Sequence, residues 1–252
     1  MNKVFNIAIP LSIEHIKEVG STNTLLKERA AQGAKEGTVI IAEKQTAGRG
    51  RRGRSFFSPD GTGLYLSLLL RPDLDSEHTA MLTTAAASAA ALAIEEVSGK
   101  DADIKWVNDI WLAGRKVCGI LCEAGTSPEG NFVVVGMGVN VTAPPEGFPE
   151  ELKDIAGAVF SASEAPQNAR LAIAEAFLHH FTRFYANMSA REYFPEYKKR
   201  CFLLGQDINV LRQGEAIPAT ALDINEHCHL LVRYPDGREE YLSSGEVSVR
   251  LR

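Results

Sequence analysis

The chain has 252 residues, 45% apolar and 23% charged, with a formal net charge of −5. A composition this ordinary excludes wholesale disorder, and the length suits one large domain or a main domain with a small satellite. The acidic balance argues against a broad nucleic-acid-binding face, whose basic footprint would dominate the charge.

Residues 1–21 interrupt their apolar positions with Asn6, Pro10, Glu14 and His15, so no secretory core forms there. No later stretch is apolar for long enough to span a bilayer, and a cytoplasmic protein is expected. Ser21 reads as the N-cap of a helix over residues 22–31, closed by Gly33. A strand over residues 38–42 then feeds Gly48-Arg49-Gly50-Arg51-Arg52-Gly53-Arg54. Glycines let backbone approach a ligand, and guanidinium forks match phosphate oxygens bidentately. Such runs also occur as solvated loops, localisation signals or nucleic-acid arms. Here the basic character is local, and the Gly-x-x-x-x-Gly-Lys-Ser/Thr pattern of a Walker loop is missing, so a small phosphorylated ligand fits better.

Residues 64–70 form a nearly continuous apolar strand, expected to be buried on both faces. Residues 76–97 are Ala-rich with helical spacing of Met81, Leu82, Ala85, Ala89, Leu92 and Ala93, which predicts a long, closely packed helix. Strands at 104–107, 109–112, 117–123 and 132–136 predict a β-meander of three or four strands, with Val107 keeping the first one extended. Pro144, Pro145 and Pro149 break the pattern, and helices follow at 168–188 and 190–201. Beyond Leu204 come short strands near 208–211, 216–222, 230–234, 239–242 and 247–250, a small all-β barrel expected to dock on the larger domain.

Cys118, Cys122, Cys201 and Cys228 make no disulfide framework at this length and are expected to be reduced. His227-Cys228-His229 reads as a short strand with both histidines on one face.

Three further clusters give the arginine loop its meaning. Lys105-Trp106-Val107-Asn108-Asp109 closes one strand, Lys116 precedes Gly119-Ile120-Leu121, and Gly136-Met137-Gly138-Val139-Asn140 ends another. Each alone has a plain structural explanation. In this order, with Ser21-Thr22-Asn23 at a helix start and Gln45 ahead of the loop, they resemble the biotin protein ligases over nearly the whole chain from Ser21 onward. Two departures stand out: Val107 occupies a position where the family usually has Pro, and Phe56 one where it commonly has Trp. Some members carry an N-terminal DNA-binding winged helix-turn-helix, which the 20 residues before Ser21 are too few to build. The resemblance is therefore to the ligase-only type, with no DNA partner and no membrane.

The resemblance implies an α/β fold, with a mixed central sheet backed by helices, like the class II aminoacyl-tRNA synthetase and biotin ligase catalytic domains. That domain is expected over residues 1–204, with an SH3-like barrel over 205–252. The implied activity joins biotin to ATP as biotinyl-5'-AMP, releasing pyrophosphate. Biotin then passes to a lysine of the biotin carboxyl carrier protein of acetyl-CoA carboxylase. Lys116 is expected between the biotin carboxylate and the α-phosphate, with Arg51 holding the same region and Asp109 orienting or deprotonating the incoming lysine. Arg49, Arg52 and Arg54, with Gly48 and Gly50, would bind phosphates or shape the loop, and Asn140 with Asp109 would face Mg-ATP, Asn140 as the Mg²⁺ ligand.

Ser21, Thr22, Asn23 and Gln45 would meet the ureido ring, with backbone around Gly119, Gly136 and Gly138 in the same pocket. Trp106 and Ile120-Leu121 would cover the apolar part of biotin, with Phe56, Lys105 and Asn108 also in the substrate site. The arginine loop is expected to order over its ligand. A lipoate ligase shares the chemistry but would lack ureido contacts, and a nucleic-acid module would use the arginine loop without ATP chemistry. Monomer and homodimer both remain open.

Overall fold

The computed structural model describes residues 9–72, 76–212, 214–243, 245 and 247–249. The first part of the chain builds β1 (Ser12–Val19), α1 (Thr22–Ala31), β2 (Thr38–Gln45), β3 (Gly63–Leu70), α2 (Ser76–Ser98), β4 (Asp103–Lys105), β5 (Asp109–Leu112), β6 (Arg115–Ser127) and β7 (Gly130–Asn140). Two helices follow, α3 (Ala169–Ala186) and α4 (Tyr193–Arg200).

Seven strands form one mixed sheet in the order β1-β2-β3-β7-β6-β5-β4. Only the β1–β2 pair is parallel. The predicted meander is a full four strands, β4 to β7. Sequence reading missed β1, whose apolar residues are interrupted by Glu14, His15, Lys17 and Glu18. As the sheet's edge it is mostly exposed and needs no apolar alternation.

The sheet is packed on both faces, as the apolar run of β3 predicts. Leu64, Leu66, Leu68 and Leu70 join Val133, Val135, Met137 and Val139 of β7 in the core beneath α2 and α3. The alanines of α2 at 85–87, 89–91 and 93 are all fully buried, and their small side chains let that helix approach closely. On the opposite face Leu69 and Val134 pack with Leu26 and Ala30 of α1. The same alternation leaves Tyr65 and Ser67 of β3, and Gly136 and Gly138 of β7, off the α2-side core.

Two local features depart from expectation. The strand through Val107 stops at Lys105, residues 106–108 turn, and the Trp106–Val107 peptide is cis. Across β5 and β6 the register slips between Ile110 and Trp111, so Ile110 faces Cys118 but Trp111 faces Lys116. This bulge lets the consecutive Val117 and Cys118 both enter the core.

The chain then builds β8 (Asp207–Arg212), β9 (Glu215–Ile224), β10 (Leu230–Arg233), β11 (Glu239–Leu242) and β12 (Val247–Val249), an antiparallel sheet in the order β11-β10-β9-β8-β12. The predicted end of the last strand, Arg250, lies outside the described residues. This sheet is fastened to the first part. Trp106 Nε1 donates to the Cys228 carbonyl at 2.9 Å, and Lys198 Nζ pairs with Asp223 at 2.6 Å. Residues 227–229 form no strand, against expectation: the chain turns at residues 226–227, the Asn225 side-chain oxygen accepts from the backbone N–H of His227 and His229, and Cys228 takes a φ of 62°. All four cysteines are free thiols, and burial pushes Cys122 up to about 12 and Cys201 up to about 11, so they pack as neutral groups. Among the described residues no helix is long and apolar enough to cross a membrane.

Candidate functional site

The cleft starts from an absence of side chains. Gly119 of β6 stands opposite Gly138 of β7, Gly138 opposite Tyr65 of β3, and Gly136 opposite Ser67. Three glycines on two neighbouring strands hollow the α1-side face, and the space is filled from outside. A Cβ on Gly136 would fall 2.1 Å from Asn23 Oδ1, and one on Gly138 would fall 2.6 Å from the Phe56 ring. Above this floor lies a cavity of about 640 Å³.

Its polar end is the start of α1. Thr22 donates through its backbone N–H and its hydroxyl to Gln45 Oε1, at 2.9 and 3.1 Å, while Gln45 Nε2 donates to Ser58. Asn23 Nδ2 donates to the Leu121 carbonyl at 3.1 Å and to Glu123 at 3.0 Å, and its Oδ1 accepts from Ser67 at 2.6 Å. Ser21 has the extended backbone of an N-cap, but its hydroxyl makes no cap hydrogen bond and lines the cavity. Asn23 and Gln45 are thus held rigidly by protein partners, whereas the Ser21 hydroxyl makes no cap hydrogen bond.

The arginine loop forms one wall. Phe56 N–H donates to Gly48 O at 2.9 Å, Gly50 N–H to Arg54 O at 2.7 Å, and Arg49 bridges Ser55, so the loop closes on itself. A Cβ on Gly48 would come within 2.3 Å of the Phe56 carbonyl, which explains glycine there, although Gly48 itself does not line the cavity. Arg51 donates to Asn108 Oδ1 at 3.1 Å, and Asn108 is clamped to Ile120 of β6 through its own amide and carbonyl.

Across the cavity the Lys116 ammonium lies 2.7 Å from Asp109 Oδ1. Lys116 is also held through its backbone, donating to Ile155 O and accepting from Gly157, so Leu152, Asp154 and Ile155 form a further wall. Six cationic side chains (Arg49, Arg51, Arg52, Arg54, Lys105, Lys116) face the cavity against two carboxylates, Asp109 and Asp154. In a chain that is net negative, this is a focused field for an anion.

Of the predicted residues, Ser21, Thr22, Asn23, Gln45, Arg49, Gly50, Arg51, Arg52, Arg54, Phe56, Lys105, Trp106, Asn108, Asp109, Lys116, Gly119, Ile120, Gly136 and Gly138 all line this one cavity. Asn140 does not. Its Nδ2 donates to Gly157 O at 3.0 Å, and its side-chain oxygen accepts nothing from the described residues. Among those residues no group of three or more His, Cys, Asp or Glu converges. One amide oxygen and one ion-paired carboxylate would suit a Mg²⁺ that arrives with a phosphorylated ligand and keeps its waters. Trp106 is 4% exposed and anchored to the second sheet, more a wall than a lid.

Sequence reading missed Ser67, Glu123, Trp111, Phe202 and residues 152–155. Ser67, a lone hydroxyl in an apolar strand, was the one visible signal. Trp111 packs against Phe202 with ring centroids 5.8 Å apart, and Lys105 Nζ sits 5.3 Å over its ring.

The family described as Biotin/lipoate A/B protein ligase matches residues 16–140, and that described as Biotin protein ligase C terminal domain matches residues 203–250. A biotin--[acetyl-CoA-carboxylase] ligase of Mycobacterium tuberculosis is 31% identical over 95% of this chain and 89% of its own length. The bifunctional ligase/repressor BirA of Bacillus subtilis is 44% identical over 146 residues, and the match spans about half, 45%, of that protein. A solved biotin protein ligase of Aquifex aeolicus, in complex with biotin and ATP, superposes with a TM-score of 0.77 at 27% identity, covering 95% of this chain and 98% of that one.

Proposed function

The chain belongs to the biotin protein ligase family, and on that premise we propose that it activates biotin with ATP as biotinyl-5'-AMP. It then transfers the biotinyl group to a lysine of the biotin carboxyl carrier protein of acetyl-CoA carboxylase. The observation that carries this reading is the joining, in one cavity, of a rigid polar end at Ser21-Thr22-Asn23, a glycine floor and a cationic wall centred on Lys116.

Activation brings an anionic carboxylate towards an anionic α-phosphate, and that repulsion is the barrier to be lowered. Lys116 and Arg51 answer it. Arg51 is preset by Asn108, and Lys116 is held at the cavity wall by Asp109 until a ligand arrives. In this reading the carboxylate and phosphate oxygens take over the Lys116 ammonium from Asp109, which leaves Asp109 to receive the carrier's lysine. Arg49, Arg52 and Arg54 draw in the triphosphate, and a Mg²⁺ carried with it would be met by Asn140 and Asp109 and would offset charge on the phosphates. Ser21 and the backbone at Gly119, Gly136 and Gly138 meet the ureido end. Phe56 and Ile120 cover the apolar part, and Lys105 and Asn108 support the wall. The arginine loop closes over the adenylate and keeps water from a reactive mixed anhydride.

We read residues 1–204 as the catalytic domain and 205–252 as an SH3-like barrel. The five short antiparallel strands support that reading, and Gly245 and Val247 bring this part of the chain to the cavity wall. A cytoplasmic protein acting on a carrier, without a DNA partner, as monomer or homodimer, completes the proposal.

The test is pyrophosphate release from Mg-ATP with biotin, with lipoate or with neither, in the absence of carrier. Biotin-dependent release with trapped biotinyl-adenylate is the expected result. Release with lipoate alone, or with neither acid, overturns it.

A further inference from the structure

Glu123 is a carboxylate that the reaction does not call for, standing 14% exposed on β6 beside the polar end of the cavity. Its two oxygens gather three donors from two parts of the chain. Oε2 accepts from Asn23 Nδ2 at 3.0 Å, Oε1 accepts from Lys27 Nζ at 3.0 Å, and Arg49 Nη1 lies 3.2 Å from the same oxygen. Lys27 and Asn23 belong to α1, but Arg49 opens the arginine loop. Arg49 stands at the base of that loop, where it bridges Ser55, while Arg51 is fastened on the far side of the cavity to Asn108. Among the described residues, a charge pair at the base and a hydrogen bond on the far side of the cavity both tie the loop down.

We propose that Glu123 is a positioning residue that latches the base of the arginine loop to the start of α1, fixing Asn23 and the loop wall in one register. Its consequence for catalysis, retention of the activated acid behind that wall, rests on the adenylation reading above. Lys27 meets the same oxygen from α1, so it bears on the carboxylate but not directly on the loop, which Glu123 reaches through Arg49. Burial would push the Glu123 carboxyl up. The hydrogen bonds from Asn23 and Lys27, with the charges of Lys27 and Arg49, outweigh burial and hold it below its ordinary range, so the latch is charged at neutral pH.

The experiment compares the full chain with Glu123→Gln, Arg49→Gln, the double variant and Lys27→Met. Two readouts are used: limited trypsin cleavage after Arg51, Arg52 and Arg54 without ligand, and retention of the adenylate formed from biotin and Mg-ATP. Expected is roughly tenfold faster cutting in the loop for Glu123→Gln, with a melting temperature within about 2 °C of the parent. Arg49→Gln should match it, the double variant should add nothing, and Lys27→Met should resemble the parent. Adenylate should escape faster from Glu123→Gln, while Arg49→Gln and the double variant are read in the trypsin arm, because Arg49 also lines the cavity. Unchanged loop cutting in Glu123→Gln, additive effects in the double variant, or an equal effect of Lys27→Met each overturn the latch. A parent that forms no adenylate overturns the adenylation reading instead, and the trypsin arm still decides the latch.

Discussion

Lys116 and Asp109 sit 2.7 Å apart across β5 and β6, yet they are not partners in strand register: Asp109 faces Gly119 and Lys116 faces Trp111. The bulge at Val117 accounts for the meeting. It shifts Lys116 out of strict alternation, and Gly119 leaves room beneath, where a Cβ would lie 3.4 Å from the Lys116 Nζ. Both side chains keep about a quarter of their surface exposed, 28% and 22%, so the pair is one that an anionic ligand can exchange.

Lys116→Met should therefore cost activity and little else. Carrier-free pyrophosphate release should fall by roughly 100- to 1,000-fold, about 3 to 4 kcal/mol of lost transition-state stabilisation. A pair still open to solvent over about a quarter of its surface contributes little to folding, so urea midpoints of variant and parent should nearly coincide. Rates within a few fold of the parent would remove Lys116 from the reaction.

Gly136→Ala should act in the opposite way. The new methyl would collide with the Asn23 amide, which is already fixed by Leu121, Glu123 and Ser67 and has nowhere to retreat. A loss of about 1 to 3 kcal/mol in urea unfolding is expected, with KM for biotin rising more than kcat falls. Unaltered stability would mean that Asn23 is more loosely held than its three contacts imply.

Trp106→Phe keeps most of the buried ring and deletes one donor, leaving the Cys228 carbonyl without its indole partner. A cost of about 1 to 3 kcal/mol is expected. Loosening should be concentrated in residues 225–229, where amide hydrogen exchange would detect it. Equal protection in variant and parent would assign no fastening role to that bond.

Acid should release the Glu123 network. Its folded-state pKa is depressed, so its contribution is fully present above the ordinary carboxylate value of 4.5 and is lost as pH falls through the lower, folded value. Glu123→Gln should flatten the pH dependence of stability below about pH 5 and leave the neutral-to-alkaline limb alone. Parallel curves for variant and parent in urea titrations would contradict this.

Much of the site was legible in sequence because its residues violate their local settings. Arginines crowd a loop of an acidic chain, and glycines interrupt strands that would otherwise be Val-rich, as Gly136 and Gly138 do in β7. The long runs of β3 and α2 were equally plain, since burial on both faces removes polar residues from a strand and small side chains mark a close-packed helix. What stayed hidden was hidden for physical reasons. β1 is an edge whose exposure erases periodicity. Residues 152–157 carry no pattern, because backbone hydrogen bonds to Lys116 hold them. Glu123 looks like the polar end of an apolar strand until α1 and the loop are brought beside it. The turn at residues 226–227 was misread because Asn225, which organises it, acts from upstream.

A pocket floored by Gly119, Gly136 and Gly138 is shaped by subtraction, and this constrains how it can change. Every substitution there adds atoms, and two of the three positions have no room to take them. The floor can thus be narrowed at the expense of folding but scarcely widened, because nothing remains to remove. Variation in which acid is accepted has to be written in the side chains that stand over the floor, such as Ser21 and Phe56, which can shrink or grow. Directed changes of specificity in this chain should therefore accumulate in the cavity walls and leave the strands beneath untouched.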